Sequence, residues 1–102
     1  MLPMGTRDLL SDEQITSGLL ALPEWQREDG SIRRTVQAKD FPAAIRIVDA
    51  VAEQAEAMDH HPDIDIRWRT LHFTLSTHSA GGLTALDLKL AALIDAAAAA
   101  EA

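Results

Sequence analysis

The sequence predicts an α+β domain with two layers, in which helices cover one face of a four-stranded antiparallel sheet and the elements follow the order α-ββ-α-ββ-α. Three observations predict this fold. Two pairs of short segments alternate apolar and polar residues, which is typical of half-buried strands. Each pair is joined by a tight turn, so its strands should be antiparallel. Three longer segments repeat apolar residues at helical spacing, and helices that cover the apolar face of a sheet form its second layer.

The composition limits the class of protein. The 102 residues suffice for one domain, which we expect to span residues 1–102. Cysteine is absent, which excludes disulfides, thiolate metal sites and thiol catalysis. The net charge of −7 argues against sequence-independent nucleic-acid binding, which depends on neutralising phosphates. No apolar run approaches the roughly 20 residues that span a bilayer, and the N-terminus lacks a signal-peptide pattern. We therefore expect a cytoplasmic protein that contacts neither nucleic acid nor membrane.

The first helix is predicted at about residues 12–21. Ser11 and Gln14 form a capping box, in which each side chain bonds the backbone N–H of the other residue. Ile15 and Leu19 then begin an apolar stripe, and Pro23 ends the helix.

A hairpin follows. Asp29-Gly30 is a strong two-residue turn signal because glycine accepts a positive φ. It joins residues 25–28 to a strand at 31–38, whose apolar side carries Ile32, Val36 and Ala38 and is interrupted by Arg34.

The second helix begins after Asp40, a good N-cap, with Pro42 in its first turn. It must stop near residues 59–61, because Pro62 disfavours helical backbone at the residue before it. Its apolar stripe is broad and includes Ala44, Val48, Val51, Ala55 and Met58. A stripe of this width could meet both the sheet and a partner chain.

A second hairpin is predicted from Ile64, Ile66 and Trp68 on one side of a turn near residues 69–70, and Leu71, Phe73 and Leu75 on the other. The polar face of this strand pair would carry His72, Thr74 and Ser76. The few large residues of the core are expected to be Trp25, Phe41, Trp68 and Phe73.

The third helix begins at a second capping box, with Thr84 as the N-cap and Asp87 three residues on. Leu83 and Leu88 can form a hydrophobic staple beside it. Leu86, Leu90, Leu93 and Ala97 continue the stripe, and the end of the alanine tract is expected to fray.

The histidines are concentrated in residues 56–87, which contain all four of them. Histidine ordinarily gains and loses its proton near neutral pH, so this stretch is the candidate site for proton transfer.

The spacing in this stretch resembles the signature of the pterin-4a-carbinolamine dehydratases. The residues that carry the resemblance are Glu56, His60-His61-Pro62, Trp68, His78 and Asp87, supported by Leu22-Pro23-Glu24-Trp25, Lys39-Asp40-Phe41 and Gly81-Gly82-Leu83-Thr84. It covers about residues 9–96. One departure is visible: family members commonly have Phe-x-Phe where this chain has Val36-Gln37-Ala38.

The resemblance implies a hydro-lyase that converts 4a-hydroxytetrahydrobiopterin, or a related pterin, to quinonoid dihydropterin and water, in support of tetrahydrobiopterin recycling. It implies no cofactor and no metal. We expect His60 and His78 to be the proton-transfer pair and His61 to bind and orient the pterin. Glu56, Pro62, Trp68 and Asp87 are the expected substrate-binding residues.

Each of these residues also has a structural interpretation. His60 and His61 could be helix C-terminal residues favoured by the helix dipole, and His78 could simply end a strand. Asp87 is most economically the third residue of a capping box. Glu56 could be an exposed helix carboxylate or could support a histidine of the site, and Trp68 could belong to the core or to a pocket wall. Pro62 could simply fix how the chain leaves the helix, and His72 could be a solvated or interface strand residue.

A three-histidine metal site is a further alternative, since three imidazoles are the ligand count of a catalytic zinc. Adjacent His60 and His61 point in different directions, however, and no HExxH or facial-triad spacing is present.

The expected partners follow from the same residues. Open sheet edges and the broad stripe of the second helix predict a homo-oligomer, and the resemblance implies a dimer or tetramer and a link to an aromatic amino acid hydroxylase. Animal members of the family also act as dimerisation cofactors of a homeodomain transcription factor, and degenerate relatives assist RuBisCO assembly. A non-catalytic binding or assembly protein is therefore the alternative function, although the complete histidine set favours the enzyme.

Overall fold

A computed structural model describes residues 7–102 and confirms the predicted order of elements. The helices are α1 (Asp12–Leu19), α2 (Phe41–Met58) and α3 (Ala85–Ala100), and the strands are β1 (Gln26–Glu28), β2 (Ser31–Gln37), β3 (Asp63–Arg67) and β4 (Thr70–Leu75), with a short 3₁₀ helix at His78–Ala80. The four strands form one antiparallel sheet in the order β1-β2-β4-β3. The predicted α+β fold is therefore correct.

The predicted helix starts are confirmed. Ser11 and Gln14 form the capping box of α1, and Thr84 and Asp87 form that of α3. Asp40 caps α2 by accepting a hydrogen bond from the Ala43 amide. The alanine tract, where fraying was expected, is helical up to Ala100.

The core lies between the apolar face of the sheet and the helices. Phe73, Ile32, Leu71 and Leu75 are fully buried on the sheet side. The helices contribute Ala43, Ala44, Ile47, Val51 and Ala55 from α2 and Leu90, Ala91 and Ile94 from α3.

Two of the four large residues expected in the core are instead exposed. Trp25 and Phe73 are buried as predicted, but Phe41 is 47% exposed and Trp68 is 71% exposed. Phe41 is the first residue of α2 and precedes the first buried helical positions, Ala43 and Ala44.

Trp68 is exposed because it occupies the β3–β4 turn and not the strand. The register pairs Arg67 with Thr70, so the two-residue loop is Trp68-Arg69, one residue earlier than predicted, and Trp68 has a φ of 54°. Moving the loop by one residue still places apolar residues opposite apolar residues, so the alternating pattern could not distinguish the two registers. The Arg69 carbonyl accepts a hydrogen bond from the Ala38 amide, which ties the loop to the end of β2.

No helix within residues 7–102 is both long enough and apolar enough to cross a membrane.

Candidate proton-transfer site

His60 lies at a sharp exit from α2. Asp59, which follows the helix, has a left-handed conformation with a φ of 50° and donates from its amide to the carbonyls of the last turn. The His60 amide then bonds the Ala55 carbonyl at 3.0 Å. This turn directs the His60 side chain inward, where the residue is only 5% exposed.

The partner of His60 is Asp87, which is completely buried in the first turn of α3. His60 Nε2 lies 2.6 Å from Asp87 Oδ1. The other carboxylate oxygen, Oδ2, accepts hydrogen bonds from the Thr84 amide at 2.9 Å and from Thr77 Oγ1 at 2.8 Å. Asp87 is therefore both the predicted capping residue and the partner of a predicted catalytic histidine.

Thr77 is held by the loop that joins β4 to α3. Its amide bonds the Gly82 carbonyl at 2.8 Å, and its own carbonyl accepts from Gly81, whose φ of 77° suits glycine. Its hydroxyl lies 2.8 Å from that of Thr84, and both threonines are buried.

The hydrogen bond from Thr77 to Asp87 was not predicted from the sequence. The sequence did contain an indication of it. Thr77 continues the alternating series of buried residues Leu71, Phe73 and Leu75 on β4, yet it is polar. A buried hydroxyl needs a hydrogen-bond partner, and Asp87 supplies it.

The other two histidines of the predicted set are exposed. His61 Nε2 lies 3.5 Å from Glu56 Oε2, with their side chains 57% and 81% exposed respectively. Pro62 follows and is half-buried. His78 opens the 3₁₀ helix and directly follows, along the chain, the Thr77 that bonds Asp87. Within residues 7–102, no hydrogen bond joins one imidazole to another.

Trp68 and His72 lie apart from this network within one chain. Trp68 is at the opposite end of β3 from Pro62, and the Arg69 guanidinium lies 5.1 Å from its ring centroid. His72 is on the polar face of β4, where Nδ1 is 2.9 Å from Thr35 Oγ1, in keeping with its interpretation as a strand residue.

The departure from the family pattern at Val36-Gln37-Ala38 lies in the wall of a groove. These residues line a concavity of about 430 Å³ beside the end of α3, together with Ile47 and Ala98. The groove lies at this end of the sheet, and His60, His61 and His78 do not line it.

No group of three histidine, aspartate or glutamate side chains in residues 7–102 is arranged to hold a metal ion. The residues that meet at Asp87 provide one imidazole, one carboxylate and two hydroxyls, a set suited to holding and moving protons.

Comparison with known proteins identifies the family. The family model described as pterin 4 alpha carbinolamine dehydratase matches residues 8–97. The chain belongs to this family.

Curated relatives within the pterin-4-alpha-carbinolamine dehydratase family agree. A Nocardia farcinica protein, named as a candidate pterin-4-alpha-carbinolamine dehydratase, is 66% identical over 90 residues, which cover 88% of this chain and 95% of the relative. A Mycobacteroides abscessus protein with the same name is 56% identical over 87 residues, covering 85% of this chain and 93% of the relative.

Solved structures show the same fold. A crystal structure of a transcriptional coactivator/pterin dehydratase from Brucella melitensis matches with a TM-score of 0.85 and 35% identity, covering 87% of this chain and 97% of that one. A pterin dehydratase-like protein identified as a RuBisCO assembly factor in the alpha-carboxysome matches with a TM-score of 0.60 and 21% identity, covering 72% of this chain and 86% of that one. The second match bears on fold alone.

Proposed function

We propose that this member of the family catalyses the dehydration of 4a-hydroxytetrahydrobiopterin, or of a closely related pterin, to the quinonoid dihydropterin. The observation that carries the proposal is the buried 2.6 Å contact between His60 and Asp87, with His78 one residue beyond Thr77 of the same network. The buried pair also stabilises the fold, but a protein that served only as a scaffold would have no physical need for all three imidazoles, His60, His61 and His78.

The reaction breaks the bond between C4a and its hydroxyl and forms a double bond between C4a and N5. An acid gives a proton to the departing hydroxyl, which leaves as water, and a base accepts the N5 proton. His60 and His78 perform these two transfers. His61, which lies near Glu56 at the protein surface, binds and orients the pterin, and Pro62 fixes its position.

The decisive experiment measures the rate at which freshly generated 4a-carbinolamine disappears with and without the protein. General acid–base groups typically contribute about 10²–10⁴-fold each, so a large acceleration is expected. An absence of acceleration would favour the alternative, a binding or assembly protein on the same fold.

Dialysis against a strong chelator is expected to leave the dehydration rate unchanged, because proton transfer through imidazole needs no Lewis acid. The measurement compares initial rates before and after dialysis, with zinc added back to a third sample. A loss of rate that zinc restores would contradict the mechanism.

The protein is also expected to be a homodimer or homotetramer. Within the described residues β1 pairs only with residues 31–33 of β2, so the rest of that edge is open, as is the outer edge of β3. Exposed Ile66, Trp68 and Phe41 add apolar surface that a second copy could cover.

Light scattering at micromolar concentration should therefore give a multiple of 11.1 kDa. Trp68→Ser should lower the particle mass. Leu20→Ser, which changes an exposed leucine at the C-terminal cap of α1, should leave the mass unchanged. A wild-type particle of 11.1 kDa would contradict the expected assembly.

A further inference from the structure

The direction of every hydrogen bond around Asp87 can be assigned. A backbone amide can only donate, so Thr84 N–H donates to Asp87 Oδ2. Thr77 gives its single hydroxyl proton to Asp87 Oδ2, so in its contact with Thr84 it can only accept. Thr84 Oγ1, which also accepts from the Leu86 amide at 3.3 Å, is therefore the donor to Thr77. The hydroxyl of Thr84 thus donates to Thr77, and Thr77 donates to the carboxylate.

This pattern decides which nitrogen of His60 carries the proton. Oδ2 of Asp87 accepts two donors, and an ionised carboxylate, which carries no proton of its own, accepts at both of its oxygens. Oδ1, at 2.6 Å from His60 Nε2, therefore receives a proton from that nitrogen. A neutral imidazole has one N–H, so Nδ1 keeps its lone pair.

Nδ1 of His60 is also the ring nitrogen that the protein leaves without a hydrogen bond in the described part of the chain. Within residues 7–102 it makes no hydrogen bond, and the side-chain nitrogens that are both buried and unpartnered there are Arg34 Nε and Arg69 Nε. Nδ1 is not among them, so it is not a fully enclosed nitrogen, within a residue that is 5% exposed.

We propose that Thr77 and Thr84 are positioning residues that hold Asp87 as an acceptor, keep the His60 proton on Nε2 and so present Nδ1 to the substrate. The catalytic consequence rests on the dehydratase function proposed above, whereas the tautomer does not. In the reaction, Nδ1 accepts the N5 proton of the pterin while His78 gives a proton to the hydroxyl on C4a, which leaves as water. Solvent later removes the proton from His60 and returns one to His78.

Asp87→Asn is the sharpest test because the network dictates how the new amide must lie. The amide oxygen has to remain at the Oδ2 position, where Thr77 and Thr84 donate, so the NH₂ group faces His60 Nε2. His60 must then accept at Nε2 and carry its proton on Nδ1. Long-range ¹H–¹⁵N correlation spectra should show the Nε2–H tautomer in the wild type and the Nδ1–H tautomer in Asp87→Asn.

The same variant should lower kcat by on the order of 10²-fold with little change in KM, because Nδ1 can no longer accept a proton. Nδ1–H in the wild type, or Nε2–H retained in Asp87→Asn, would overturn the proposal.

Thr77→Val provides a second test in case Asp87→Asn does not fold. Valine keeps the shape of threonine but cannot donate to Asp87. The His60 Nε2 resonance should shift and kcat should fall several-fold, and Thr77→Ser, which keeps the hydroxyl, should restore both. An unchanged His60 resonance in Thr77→Val would refute the role of Thr77.

Thr35→Val is the matched control. It removes another threonine–histidine hydrogen bond, the 2.9 Å contact to His72, on the opposite face of the sheet from the core. It should shift the His72 resonances while leaving those of His60 and the rate unchanged. If the wild type fails to accelerate dehydration, the proposed function fails, yet the spectra still decide the tautomer without substrate.

Discussion

His78→Ala is expected to lower the dehydration rate by about 10²–10⁴-fold while leaving the thermal midpoint nearly unchanged. The His78 side chain is exposed at the start of the 3₁₀ helix, so its removal costs little packing. Its chemical role as a proton donor or acceptor cannot be replaced by alanine. Initial rates and circular dichroism melts on the same preparation separate the two effects.

His72→Ala is the control for this prediction. It removes an imidazole from the same sheet but outside the Asp87 network, so full turnover is expected. Should His78→Ala retain full turnover on a fresh carbinolamine substrate, its assignment to proton transfer would be wrong.

His60→Ala should reduce turnover as strongly as His78→Ala but should also destabilise the protein. His60 is 5% exposed and bonded to Asp87, and its loss leaves a buried carboxylate oxygen without its donor. We therefore expect the two variants to lose similar activity, but only His60→Ala to lose stability. Thermal melts and initial rates on matched samples test this.

Asp87→Ala is expected to lower the free energy of unfolding by roughly 2–5 kcal/mol and to abolish most activity. A capping residue alone would account for about 1 kcal/mol. The larger loss arises because Asp87 is completely buried and accepts from His60, Thr77 and Thr84, each of which would lose its acceptor. Denaturant titration measures the first effect and the carbinolamine assay the second.

Gln14→Ala is the matched control for the cap. Gln14 occupies the same third position in the capping box of α1 but is exposed and has no role in the site. It should cost about 1 kcal/mol or less with full activity. If Asp87→Ala were as mild as Gln14→Ala, the buried network would contribute little beyond the cap.

The sequence by itself determined the order of elements, the caps and the buried faces. Ser11, Asp40 and Thr84 are confirmed as N-caps. They could be predicted because a capping interaction joins residues only two or three positions apart in the sequence. Apolar periodicity placed Leu71, Phe73 and Leu75 on the buried face of β4 for the same local reason. The spacing of the histidines also pointed to the family.

Only the tertiary structure decided which groups meet. His60 and Asp87 are 27 residues apart, and no local pattern indicates that one imidazole of an adjacent pair turns inward while the other faces solvent. The structure likewise places the loop at Trp68-Arg69, where the Arg69 carbonyl bonds the Ala38 amide, whereas both candidate registers satisfy the apolar alternation. Local propensities constrain neighbours along the chain, whereas a buried polar network forms only where packing brings distant donors and acceptors within hydrogen-bond distance.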